Sequence, residues 1–264
     1  MSLMFIMFLS VLVVTCNATK DIFILAGQSN MAGLGGVYNE KWDGDVPQEC
    51  KPSPSVLRLN AKLVWEEARE PLHRDIDTRI SWGIGPGLAF ANEIVRMRGG
   101  GGGRYVVGLV PCAVGGTRIE EWRKGSRLYN RLVKRSIKSV KNGGVIRALV
   151  WYQGESDTVR EEDAKAYKTR MERFIHNIRS DLKLPNLLVI QVALASGDGK
   201  FVNMVRYAQL SIKLPNVRCV DAKGLRLKGD NLHLTSTSEV HLGIQLAHAY
   251  LASTNHHFNY TQIS

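Results

Sequence analysis

The feature that most constrains this chain is an alternation. Short, near-continuous apolar runs at 22–26, 105–110, 146–151, 187–193 and 217–220 read as strands. Between and after them, 86–97, 126–141, 161–182, 203–212 and 238–251 carry the periodicity of helices with one apolar face. The first of these helices has Pro86 near its start and the glycines of 99–103 beyond its end. Strands with no polar alternation must be covered on both sides, and only a parallel sheet with helices on both faces does that. The expectation is therefore α/β: a single doubly wound domain on a five-stranded parallel sheet of flavodoxin-like type. The stretch 37–82 breaks the alternation. It holds Pro47, Pro52, Pro54 and Pro71 and a hairpin pattern over 56–59 and 63–65. We read it as an insertion beside the sheet edge.

Composition narrows the setting. The chain has 264 residues, 44% of them hydrophobic, which suffices for one large domain. Residues 4–15 form an apolar run with the length of a signal-peptide core, followed by the small residues of Cys16-Asn17-Ala18. The expected leader is 1–18, cleaved after Ala18, which leaves 19–264 as the exported domain. No other segment is apolar enough for stable membrane insertion. The formal charge of +11 is concentrated in Arg123, Lys124, Arg127, Arg131, Lys134, Arg135, Lys138 and Lys141. No nucleic-acid motif accompanies this basic helix, so it reads as a solvated face, and no nucleic-acid partner is expected. Loss of the leader removes Cys16 and leaves Cys50, Cys112 and Cys219, enough for one disulfide and one free thiol. No spacing suits a metal, and no cofactor is expected. Asn259-Tyr260-Thr261 is a glycosylation sequon.

Ligand sites in doubly wound sheets lie beyond the carboxyl ends of the strands. The first strand is followed by Gly27-Gln28-Ser29-Asn30, the second by a turn holding Gly115-Gly116, the third by Gln153-Gly154-Glu155, and the last by a loop ending in Asp230-Asn231-Leu232-His233. Together these are parts for acyl transfer. A serine hydroxyl needs a base to take its proton, and His233 is that base for Ser29. The imidazole needs an acceptor on its other nitrogen, and Glu155 and Asp230 are both candidates. The oxyanion of a tetrahedral intermediate needs donors. The Ser29 N–H, a glycine N–H of the 115–116 pair and the Gln153 amide are the candidates.

These segments resemble the SGNH (GDSL-like) hydrolase superfamily, and within it the SASA carbohydrate esterases. The resemblance rests on 24–33 (ILAGQSNMAG), 85–89 (GPGLA), 108–122 (GLVPCAVGGTRIEEW), 151–157 (WYQGESD) and 230–243 (DNLHLTSTSEVHLG). Residues 56–77 look like the plant branch of that family. The resemblance implies Ser29 as nucleophile, His233 as base, and Gly116 and Gln153 as oxyanion donors beside the Ser29 N–H. It leaves the triad acid between Glu155, slightly preferred on the Gln-Gly-Glu pattern, and Asp230. Asn30 is expected to orient the nucleophile loop, and Asn30, Arg118 and Trp122 are expected near the sugar. The implied activity is O-acetyl ester hydrolysis on an acetylated polysaccharide or oligosaccharide, as in a cell wall. A lipid or aryl esterase and a noncatalytic polysaccharide-binding protein are the alternatives.

Overall fold

The computed structural model describes residues 20–99, 105–141 and 143–255. The expected leader and the Asn259 sequon lie outside them. Among the described residues nine strands are formed: β1 (Lys20–Gly27), β2 (Val37–Tyr38), β3 (Lys41–Trp42), β4 (Val56–Leu59), β5 (Trp65–Glu67), β6 (Val106–Pro111), β7 (Val145–Tyr152), β8 (Leu188–Ala193) and β9 (Val217–Asp221). The helices are α1 (Ser29–Ala32), α2 (Pro86–Met97), α3 (Arg127–Ser139), α4 (Glu161–Asp181), α5 (Val202–Leu210) and α6 (Ser236–Asn255).

The main sheet runs β5-β4-β6-β1-β7-β8-β9. It has seven strands, not the expected five. The five apolar runs form one continuous parallel block, β6-β1-β7-β8-β9, with β9 at the sheet edge. The two extra strands come from the insertion. Its hairpin joins the sheet itself, with β4 parallel to β6 and β5 antiparallel to β4 at the edge. The physical reason is visible in β4. Its Arg58 is fully buried, ion-paired to Glu66 and Asp75, and donates to the Leu72 carbonyl at 2.7 Å. Arg135 of α3 caps the end of the same strand through the carbonyls of Leu59 (2.6 Å) and Asn60 (3.0 Å). A strand stitched by buried arginines does not show the apolar run that marks the other parallel strands. The turn also extends further than expected. Leu63 takes a positive φ of 64°, so the second arm begins at Trp65.

Helices α2 and α6 pack together on one face and α3, α4 and α5 cover the other. On the first face, Phe23 of β1 meets Phe90 and Tyr250 edge-on at 4.9 and 4.8 Å. On the second, Trp151 of β7 sits 4.6 Å from Phe174 and 5.2 Å from Trp122. Each such ring contributes roughly 1.5–3 kcal/mol by leaving water. These contacts fix β1 and β7, whose carboxyl ends carry the site. Cys50, Cys112 and Cys219 are all free thiols, so the disulfide the sequence permits is not formed. No helix among the described residues is long and apolar enough to cross a membrane.

Candidate active site

β1 ends at Gly27, with φ of 137°. A Cβ there would collide with the Tyr152 carbonyl of β7, so only glycine lets the chain turn sharply at this point. Gln28 N–H then bonds Tyr152 O at 2.9 Å, and Ser29 starts the single turn of α1. The side chain of Ser29 is thereby presented at the carboxyl edge of the sheet, beside the point where the chain reverses direction across it.

His233 arrives from the loop between β9 and α6. Its Nε2 is 3.0 Å from Ser29 Oγ, and its Nδ1 is 2.9 Å from Asp230 Oδ2. The other oxygen of Asp230 accepts the N–H groups of Leu232 (3.0 Å) and His233 (2.9 Å), which fixes the loop on the carboxylate. Burial pushes Asp230 up, but these two N–H groups and the His233 ring outweigh it and hold the carboxyl at about 2. Asp230 is thus an anion facing the ring.

Glu155 occupies a different place. It is fully buried, and its Oε1 accepts Asn30 Nδ2 at 2.7 Å, not the histidine. Burial drives it up to about 7, against the pull of the Asn30 bond. Asn30 in turn accepts the Leu234 N–H at 3.0 Å and donates to Leu232 O at 3.4 Å, one residue to either side of His233. Both residues therefore brace the histidine loop from inside. Neither reaches the cleft, although the sequence reading places Asn30 near the sugar and prefers Glu155 beside the ring.

Gln153 does not take the oxyanion position expected of it, and Gln28, to which no role was assigned, stands there instead. Gln153 is fully buried, and its amide hydrogens go to Thr117 O (2.7 Å), Asp157 Oδ2 (2.6 Å) and Gln28 Oε1 (3.2 Å). It points away from the cleft, because Asp157 lies beneath the turn and draws the amide inward. Gln28 lines the cleft instead. Its Oε1 receives N–H groups from Gln153 (3.2 Å), Gly154 (3.2 Å) and Ser156 (3.4 Å). Three converging donors identify that atom as the oxygen and leave the amide nitrogen with one long contact, 3.4 Å to Ser156 Oγ. The signal was available: Gln28 directly precedes the nucleophile.

The cleft has a volume of about 290 Å³, and its walls include Gln28, Ser29, Gly115, Gly116, Asp198 and His233. Gly116 is exposed with a φ of 65°. The N–H of Ser29, at the first turn of a helix, has no intrahelical acceptor. The other wall, Asp77, Arg79 and Ile80, comes from the insertion, and the sequence reading missed it. Asp77 accepts the Gly115 N–H at 3.0 Å and so holds the glycine turn. Arg118 and Trp122 stand outside the cleft. Arg118 leans on Asp163 at 3.4 Å, and Trp122 is fully buried, donating to Thr117 Oγ1 at 3.0 Å. Among the described residues, no group of three or more His, Cys, Asp or Glu is placed to hold a metal. A larger cavity of about 900 Å³ lies at the amino ends of the strands, but no histidine lines it.

An α/β sheet with a serine, a histidine and a carboxylate in hydrogen-bonded series at its carboxyl edge defines the hydrolase class. The family description "Carbohydrate esterase, sialic acid-specific acetylesterase" matches residues 19–252, and the chain belongs to this SASA carbohydrate esterase family. It is 56% identical over 240 residues to the probable carbohydrate esterase At4g34215 of Arabidopsis thaliana, covering 89% of this chain and 91% of that one. The X-ray structure of the Arabidopsis protein superposes with a TM-score of 0.85 at 55% identity, covering 89% of this chain and 99% of that one. The crystal structure of NanS shares the fold, with a TM-score of 0.72 at 15% identity over 90% of this chain and 98% of that one.

Proposed function

We propose that this protein is a serine O-acetyl esterase that deacetylates a carbohydrate polymer outside the cell. The observation that carries the reading is the chain Asp230–His233–Ser29, closed by contacts of 2.9 and 3.0 Å. His233 Nε2 takes the Ser29 proton as Oγ attacks the acetyl carbonyl. Asp230 holds the proton on Nδ1 and stabilises the imidazolium that forms. The oxyanion sits among the Ser29 N–H, the Gly116 N–H and the amide hydrogen of Gln28 that Ser156 leaves over. The tetrahedral intermediate then expels the sugar alkoxide, which takes the proton from Nε2. Water, activated by the same nitrogen, hydrolyses the acetyl-serine and releases acetate. The chemistry uses no metal.

Membership of a carbohydrate esterase family supports the substrate class, and the apolar run with its small-residue end supports export. The test is acetate release from acetylated xylan and acetylated pectin by the purified protein, alongside Ser29→Ala. The variant is expected to lose turnover by on the order of a millionfold while melting at the wild-type temperature. No acetate from any acetylated glycan, or full activity in the variant, would overturn the reading.

A further inference from the structure

Beside the catalytic cleft lies a second cavity, of about 360 Å³, which shares Arg79 with it. The turn of residues 114–117 separates the two. Val114 and Thr117 line the second cavity, while Gly115 and Gly116 line the first. Arg79 is held in place. Its Nε and Nη2 each meet an oxygen of the buried Asp77 at 2.8 Å, and Nη2 also donates to Gly115 O at 2.8 Å. A guanidinium has five N–H groups, and these contacts leave the two on Nη1 unused.

Arg123 and Arg127 line the same cavity. Arg123 is two-thirds exposed and meets Glu120 only at 3.5 Å, and Arg127 is exposed. The one carboxylate facing these arginines from the cavity wall is Glu121, whose Oε2 accepts the Arg118 N–H at 2.8 Å. Asp77 offsets Arg79 from beneath, and Asp198 belongs to the catalytic cleft alone. The cavity is therefore biased toward anions, and it presents planar forks of N–H donors suited to a carboxylate.

We propose that this cavity is a subsite for a uronate, a sugar bearing a free carboxylate, that flanks the acetylated sugar seated at Ser29. The proposal rests on the esterase reading and deepens it. The preferred substrate is then an acetylated acidic glycan over an acetylated neutral one.

The test separates binding from turnover. Trigalacturonate and its methyl ester, the same sugar without charge, are titrated calorimetrically into wild-type protein and into the Arg123→Gln/Arg127→Gln double variant. Each exposed arginine–carboxylate contact shifts affinity by about two- to fivefold, so wild type should prefer the acid by about fivefold or more at low salt. The double variant should lose that preference, and in acetylated substrates the acid-to-neutral ratio of kcat/KM should fall by a similar factor. Equal affinity for acid and ester, no binding of either, or a preference that survives in the double variant overturns the subsite. Acetate release at equal rates from acidic and neutral substrates, with no arginine dependence, sinks the subsite and leaves the esterase reading standing. Preference for the acid without any acetate release does the reverse.

Discussion

Asp230→Asn should cripple the enzyme, and Glu155→Gln should barely affect it. Nε2 of His233 can accept the serine proton only if the ring's own proton sits on Nδ1. That tautomer is favoured by an acceptor at 2.9 Å, Oδ2 of Asp230. In Asp230→Asn the oxygen bound by the Leu232 and His233 N–H groups is retained, so the loop keeps its shape. The amide nitrogen then faces Nδ1, which must accept, and the proton moves to Nε2, opposite Ser29. In a serine protease with a buried aspartate this exchange lowers turnover about ten-thousandfold. Asp230 is 41% exposed, and water can partly replace it, so the expected loss is smaller. We set it at about a hundred- to a thousandfold, or about 3–4 kcal/mol of barrier. Glu155→Gln preserves the oxygen that Asn30 needs and should stay within about threefold of wild type. Turnover of 4-nitrophenyl acetate near neutral pH measures both, with circular dichroism as the check on folding. The reasoning is refuted if Asp230→Asn keeps near-wild-type turnover, or if Glu155→Gln falls further than it does.

Gln28→Glu retains the oxygen that anchors the side chain but places a charge against the oxyanion. Turnover should fall by about a hundred- to a thousandfold with KM little changed, and an unaffected kcat would remove Gln28 from the site. Glu70 is half-buried, with one carboxyl oxygen sealed away from water and unpartnered, and burial pushes it up to about 8 from an ordinary value near 4.3. The folded state therefore holds a proton the unfolded chain gives up. The stabilising contribution is complete below the ordinary value and is lost as pH rises through about 8. The melting temperature should drop between pH 6 and 9 and flatten in Glu70→Gln, and parallel curves would contradict the assignment. Edman sequencing of exported protein should begin at Thr19, and an intact Met1 would exclude the leader.

Backbone position was legible in the sequence and side-chain direction was not. The sharp turn after β1 and the Asp-x-x-His loop located Ser29 and His233, because each must follow a strand end. Whether Gln28 or Gln153 faces the cleft depends on Asp157, four residues beyond Gln153, which draws that amide down. Whether Glu155 or Asp230 meets the ring depends on Asn30, which takes Glu155 for itself. The second choice is a contact between segments 125 residues apart, and the first, though local, turns on the direction of a side chain, which no sequence pattern records. The same holds for β4, where a buried Arg58 hides a parallel strand behind a charged residue. It holds too for Asp77 and Arg79, which reach the cleft from a segment without periodicity.

The insertion has a consequence for anyone who would retarget this scaffold. The reactive trio is mounted on the loops after β1 and β9, whereas one flank of the binding surface is a contiguous graft at the opposite margin of the sheet. Exchanging that graft between relatives looks like a clean route to altered selectivity. It is not clean, because Asp77 sits in the graft and holds the Gly115 N–H next to the oxyanion turn. Arg131 and Arg135 of α3 also clamp it through the carbonyls of Ile76, Leu59 and Asn60. A chimera must therefore import these clasps together with the new wall, or it will change which glycan is chosen and blunt the reaction in the same stroke.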